Sequence, residues 1–215
     1  MSNRERFTDR TDAGRQLGIE LADRGVDADV VVAIPRGGLP LGRAVADALD
    51  APLDVVVASK IGAPDNPEYA IGAVGSDGSV WLDDEAVDHL GVSDAYVERE
   101  REREVAAARE KASRYRGDRE PPALDGRTVV VVDDGVATGS TAAAAIRLVR
   151  EAGAERVVLA VPVGPPETIA ELEGLADDVV ALRTPATFGA VGAFYDRFDQ
   201  VGDEEAMAYL ADDYP

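Results

Sequence analysis

The sequence predicts an α/β fold: a doubly wound, mostly parallel sheet flanked by helices. Three observations carry this. Short valine-rich runs recur at residues 30–34, 129–132 and 156–163, continuous apolar stretches of the kind found in parallel strands buried on both faces. Each run is followed by a segment of helical composition. Glycine- and hydroxyl-rich turns lie between strand and helix, at the strand ends where such sheets bind ligands.

The elements follow in order. Thr8 or Asp9 caps a first helix reaching about residue 23, with Ala13, Leu17, Ile19 and Leu21 apolar. Residues 30–34 form a buried strand, Pro35-Arg36-Gly37-Gly38 a turn, residues 39–49 a helix and residues 53–58 the next strand. Strand, helix, strand implies a right-handed parallel unit. Residues 60–70 hold Gly62, Pro64, Asp65, Asn66 and Pro67 and read as a loop. Residues 70–74 and 80–82 flank Gly75-Ser76-Asp77-Gly78, a hairpin signal. Helices are expected at 83–90 and 94–116. In the second, Val97, Val105, Ala108, Ala112 and Tyr115 make the apolar stripe, and the acid–arginine run at 98–104 makes a solvated face. After a polar loop at 117–126 come the strand at 129–132, a helix to about 152, the strand at 156–163, a helix behind Pro165 and a strand at 179–182. Residues 184–215 read as irregular until a helix from about Asp203. The whole, 1–215, is expected to be one domain. Its core spans about 26–183, and about 184–215 form a small hood, to which the first helix (8–24) is a candidate addition.

Composition excludes several function classes. The chain has no cysteine and one histidine, His89, so disulfides, thiolate metal sites and multi-histidine metal sites are ruled out, and His89 shows no partner motif for a nucleophilic triad. His89 reads as a surface residue. Acids outnumber bases 42 to 22, a net charge of −20, and Lys60 and Lys111 are the only lysines. Such a field repels nucleic acid and anionic membranes. The composition is similar to the acidic, lysine-poor proteins of salt-accumulating, halophilic cytoplasms. With no leader pattern and no 18-residue apolar span, a cytoplasmic location is expected.

The stretch Val129-Val130-Val131-Val132-Asp133-Asp134-Gly135-Val136-Ala137-Thr138-Gly139-Ser140-Thr141 carries the chemistry. Two carboxylates end a buried strand, and the turn after them opens the helix of Ala142-Ala143-Ala144-Ala145-Ile146. A helix start offers free N–H groups and a positive dipole end to an anion. Thr138, Ser140 and Thr141 add hydroxyls, while Asp133 and Asp134 accept hydrogen bonds from a diol. A phosphorylated sugar presents both groups. The plain alternative is a strand-to-helix turn with an acidic cap. A Walker A loop is excluded by the missing lysine, and no G-x-G-x-x-G follows a strand. Ile34-Pro35-Arg36-Gly37-Gly38 is the second motif: the glycines let backbone amides approach an anion, and Arg36 adds a fixed charge.

These two motifs resemble the phosphoribosyl-pyrophosphate motif and the pyrophosphate loop of the type I phosphoribosyltransferases, and the likeness extends over nearly the whole chain. Gly135 departs from the pattern, since the family more often has an aliphatic residue there. The resemblance implies that Asp133 and Asp134 hold the ribose hydroxyls and that Ala137, Thr138, Gly139, Ser140 and Thr141 hold the 5′-phosphate. It implies that Arg36, Gly37, Gly38 and Lys60 meet the pyrophosphate, with Arg36 and Lys60 as catalytic residues. Lys60 closes a strand in this reading, and Lys60 to Val74 occupies the place of the family's mobile catalytic loop, a β-hairpin lid. The family loop at Arg36 often contains a cis peptide, which a sequence does not display. The tail rings Phe188, Phe194, Tyr195 and Phe198 belong either to an acceptor-binding hood or to the core.

The implied reaction displaces pyrophosphate from phosphoribosyl pyrophosphate and joins the ribose to an unknown acceptor, such as a nucleobase. The implied cofactor is Mg²⁺, held by substrate and water with no direct protein site beyond Asp133 and Asp134. Two alternatives stay open: a regulatory protein that binds phosphoribosyl pyrophosphate without turnover, and another enzyme acting on a phosphosugar. A homodimer is also left open.

Overall fold

Eight strands and seven helices account for most of the residues described in a computed structural model, 6–117 and 119–211, with the side chains of Pro67 and Glu68 left aside. Helix α1 (Arg10–Asp23) precedes β1 (Val30–Ala33), α2 (Leu39–Leu49) and β2 (Leu53–Val55). An antiparallel excursion follows, with β3 (Ala58–Ala63), β4 (Asn66–Gly75) and β5 (Val80–Leu82). Helices α3 (Asp84–Leu90) and α4 (Asp94–Arg116) return the chain to β6 (Thr128–Val132). Then come α5 (Ser140–Glu151), β7 (Arg156–Val163), α6 (Pro166–Glu173), β8 (Asp178–Arg183), a 3-10 turn (Val191–Phe194) and α7 (Asp203–Leu210).

The valine runs behave as their composition demands. Strands β2-β1-β6-β7-β8 pair in that order, all parallel, and β1 is buried at every position. Alternation divides them between two cores. Val31, Ala33, Val130 and Val132 face α1, α2 and the tail, while Val30, Val32, Val129 and Val131 face α5 and α6. A third, smaller core of Ile61, Ile71, Val74 and Val97 lies beneath the antiparallel sheet. Among the described residues no helix is long and apolar enough to cross a membrane.

The stretch expected as one strand and a loop, 53–70, is where expectation and structure part. The parallel strand stops at Val55, and the chain turns into β3 at Ala58. Gly62, Pro64 and Pro67, which suggested a loop, flank a tight hairpin instead. The register shifts around Gly62 absorb the irregularity, and Pro67 stands near the start of β4.

Asp9 caps α1 by accepting the Asp12 N–H at 2.9 Å, and Arg197 pairs with it at 2.5 Å. The capping bond, with Arg197 added to it, holds its carboxyl below the ordinary aspartate range. Asp9→Ala should therefore cost about 0.5–2 kcal/mol at neutral pH. A depressed pKa stabilises above the unfolded value and ceases to as pH falls through the folded one. The gap between parent and variant melting temperatures should shrink in acid. A gap constant from neutral pH to acid would assign the loss to something other than the charged cap.

Candidate active site at the switch point of the sheet

The strand order reverses between β1 and β6, and open parallel sheets bind ligands in the crevice at such a point. Here the two motif loops meet. Ile34 N–H donates to the Val132 carbonyl at 2.9 Å, carrying the pairing one residue past β1. A Cβ on Gly37 would lie 2.2 Å from Asp134 Oδ2, and one on Gly38 would lie 2.7 Å from the carbonyl oxygens of Ile34 and Val132. Neither position has room for a side chain. The Pro35–Arg36 peptide is cis.

Asp133 and Asp134 leave the end of β6 half-buried. The Asp134 N–H donates to Asp133 Oδ1 at 2.8 Å. Arg10 Nε donates to Asp134 Oδ2 at 2.8 Å, and the Tyr195 hydroxyl donates to the Asp134 carbonyl at 2.6 Å. Burial, then the neighbouring Asp134 charge, pushes the Asp133 carboxyl well above the usual carboxylate range. Burial also raises Asp134, against the pull of Arg10. Burial raises the Tyr195 phenol as well. Two carboxylates crowded in this way favour a hydroxyl donor or a cation beside them.

Beyond the acids, Val136 N–H donates to the Val163 carbonyl at 2.9 Å, and Thr168 Oγ1 donates to the Ala137 carbonyl at 2.9 Å. Gly139, at φ +74°, ends the turn, and α5 begins at Ser140. Ala137, Thr138, Ser140 and Thr141 are exposed around the helix start, and the Thr138 and Ser140 hydroxyls stand 3.2 Å apart. These hydroxyls and the free amides of the helix start make one set of donors. The unusual Gly135 now has a cause. It adopts φ +149°, and a Cβ there would lie 2.7 Å from Val191 of the tail, so the aliphatic residue expected in its place would collide with that segment.

Arg36 and Lys60 are placed differently from one another. Arg36 stands beside the glycine loop, with Nη1 3.0 Å from Asp203 Oδ1 at the start of α7. Lys60 does not close a parallel strand, as its sequence position suggested. It lies exposed within β3, opposite Ala73, on the separate antiparallel sheet. That sheet is docked rather than open: it packs on α4 and α5, and the Arg147 guanidinium stacks 3.7 Å over the Trp81 ring. The crevice thus joins Arg36, Gly37, Gly38, Asp133, Asp134 and residues 137–141, while Lys60 belongs to the neighbouring sheet.

A model of the phosphoribosyl transferase domain matches residues 12–196. The chain belongs to this family. A protein of Mycobacterium tuberculosis strain H37Rv described as a "putative phosphoribosyl transferase" is 46% identical over 204 residues, 95% of this chain and 46% of that protein. A protein of strain CDC 1551 with the same description matches to the same extent. The chain therefore spans about half the length of these relatives. The crystal structure of TT1426 from Thermus thermophilus superposes with a TM-score of 0.88 at 46% identity, covering 95% of this chain and 97% of that one.

In this phosphoribosyltransferase-family chain the tail rings are used on one another. Tyr195 is buried against Phe7, with centroids 5.4 Å apart, and against Phe198 at 4.9 Å. Phe188 stacks on Phe194 at 5.4 Å. His89 is exposed in the last turn of α3. Three site neighbours escape a reading of the sequence: Arg10, the Tyr195 hydroxyl and Asp203. Arg10 alone leaves a trace, because an arginine at the first position of a helix opposes the dipole there. Its partner lies 124 residues away.

Proposed function

We propose that this protein transfers a phosphoribosyl group from phosphoribosyl pyrophosphate to an acceptor, with release of pyrophosphate and with Mg²⁺ as cofactor. One observation carries the reading. A diol-accepting carboxylate pair, a donor-rich helix start and a glycine loop bearing Arg36 converge on one crevice, close enough that Gly37 touches Asp134.

In this reading Asp133 and Asp134 accept from the ribose hydroxyls. The amides and hydroxyls of residues 137–141 hold the 5′-phosphate, and Arg36 with the Gly37 and Gly38 amides takes the pyrophosphate. The bond from C1 to the pyrophosphate oxygen breaks, the bond from C1 to the acceptor forms, and the acceptor's proton passes to solvent. Positioning and electrostatic stabilisation supply the rate, and no side-chain nucleophile is needed. The crowded carboxylates fit a divalent cation. Among the described residues no group of three or more metal-ligating side chains exists, so Asp133 and Asp134 would share Mg²⁺ with substrate oxygens and water. Bound there, the ion would offset charge on the departing pyrophosphate.

Calorimetry with phosphoribosyl pyrophosphate and with ribose 5-phosphate, each with Mg²⁺, tests the site, and binding of neither by folded protein sinks the reading. Pyrophosphate release across a panel of nucleobases and small acceptors tests the reaction. The contact of Arg36 with Asp203 favours one second reading, a regulatory protein that binds phosphoribosyl pyrophosphate without turnover. Binding without release for any acceptor would select it.

Arg36→Ala and Lys60→Ala separate binding from chemistry. Groups that meet the leaving pyrophosphate matter more as its charge develops, so Arg36→Ala should lower turnover more than ribose 5-phosphate affinity. Lys60 stands outside the crevice on the antiparallel sheet, so Lys60→Ala should do the same only if the β3–β4 hairpin brings it to the pyrophosphate in the loaded protein. Equal losses in both quantities would put them in the sugar-phosphate subsite, and full activity would make them surface charges.

A further inference from the structure

The contacts of Asp134 extend well beyond its own loop. Its carboxylate is reached from the first turn of α1 and its backbone from the tail, by residues distant in sequence. Arg10 approaches with Nε on Oδ2 at 2.8 Å, and its Nη1 donates to the Asp199 carbonyl at 2.6 Å. Its guanidinium lies 3.8 Å over the Phe198 ring. The Arg10 and Asp134 side chains are only 12% and 15% exposed. Tyr195, stacked against Phe198 and Phe7, fixes the Asp134 carbonyl at 2.6 Å. Gly37 lies so near that a Cβ there would fall 2.2 Å from Oδ2. Oδ2 is therefore held by Arg10 and closely approached at Gly37, while no described residue donates a hydrogen bond to Oδ1.

We infer that Arg10 is a positioning residue for sugar recognition: by pinning Oδ2 it locks the Asp134 side chain in the one orientation that offers Oδ1 to a ribose hydroxyl. The inference rests on the reading that Asp133 and Asp134 accept sugar hydroxyls. A carboxylate free to rotate would accept bonds from water in several orientations and discriminate poorly between a sugar with and without a hydroxyl. One held by a nearly buried guanidinium is preorganised, and it leaves an unmatched acceptor when the hydroxyl is missing. Phe198 and the Asp199 carbonyl fix the guanidinium in turn, so the specificity of a strand-end residue is set by the two terminal parts of the fold.

The test compares ribose 5-phosphate with 2-deoxyribose 5-phosphate by calorimetry, for the parent, Arg10→Met and Arg10→Gln. Methionine keeps an unbranched chain over Phe198. Glutamine keeps a donor without the charge, and serves if the methionine variant does not fold. The parent should prefer the ribose compound about tenfold or more, as expected for one hydrogen bond to a charged group. In either folded variant the preference should fall below about threefold, mainly through weaker binding of the ribose compound. Equal weakening of both compounds, with the preference intact, would make Arg10 a purely structural contact and overturn the inference. A parent that binds neither compound would overturn the phosphoribosyl reading instead. A parent that binds both equally would leave that reading standing and overturn the role given to Arg10.

Discussion

Asp133→Asn should weaken ribose 5-phosphate binding about tenfold or more and, in the same molecule, raise the melting temperature of the ligand-free protein. The first effect follows from the loss of a charged acceptor, worth roughly 1.5–3 kcal/mol to a hydrogen bond. The second follows from the raised Asp133 pKa, caused by burial and then by the Asp134 charge. A carboxyl whose pKa is higher folded than unfolded favours the native state most below its unfolded value. That advantage is lost as pH rises through the folded value, so at neutral pH an ionised Asp133 penalises the native state. Asparagine carries no charge and can still accept the Asp134 N–H through its oxygen. In metal-free buffer the gain should be largest at neutral pH and should vanish in acid, where the parent's Asp133 is protonated too. Thermal melts across pH, beside calorimetry at neutral pH, check both halves. Unchanged affinity would reduce the residue to a cap on its turn, and a thermal gain independent of pH would remove charge burial as its cause.

Gly37→Ala and Gly38→Ala should fail in different ways although they are neighbours. The Gly37 Cβ would lie 2.2 Å from a carboxylate oxygen that can rotate, so the strain is relieved by turning Asp134 away from Arg10. The fold should survive, and ribose 5-phosphate affinity should drop about tenfold or more, the scale of one charged hydrogen bond. The Gly38 Cβ would lie 2.7 Å from two backbone carbonyls in the sheet, which have no rotamer to adopt. Overpacking of that kind costs about 1–3 kcal/mol, and it should appear as a lowered melting temperature. Melts and calorimetry on both variants decide the matter. A Gly37→Ala protein that binds as the parent does would place the carboxylate outside the ligand site.

Much of this architecture is legible in the sequence, because the determinants are local. Residues 39–49 and 94–116 carry their own apolar stripes, the second with Ser93 as its cap, and they form helices with those bounds. The strand at 156–163 likewise matches its apolar run. Val129 to Thr141 shows its strand, acids and helix start in thirteen consecutive residues. Strands β3 and β4 are different. Their glycines and prolines look like loop residues, and only cross-strand pairing and packing on α4 and α5 make them a sheet. For that reason the sequence alone puts Lys60 at the end of a parallel strand, whereas it lies within β3. The contacts of Arg10 and of the Tyr195 hydroxyl with Asp134 span 124 and 61 residues of sequence, and no local pattern announces them. The tail segment at Val191 explains the glycine at 135, yet neither position predicts the other without the fold.

The pairing of Arg36 with Asp203 bears on how an anion enters and leaves. The carboxylate is tethered by α7, so it remains at high local concentration whatever occupies the crevice. In the proposed reaction an incoming pyrophosphate would have to displace this resident competitor, and part of its attraction to the guanidinium would be offset by the bond it breaks. On departure the same carboxylate would recapture Arg36 and oppose rebinding. Such a site would work by ion exchange, holding its anionic ligand less tightly than a bare arginine and letting it go faster.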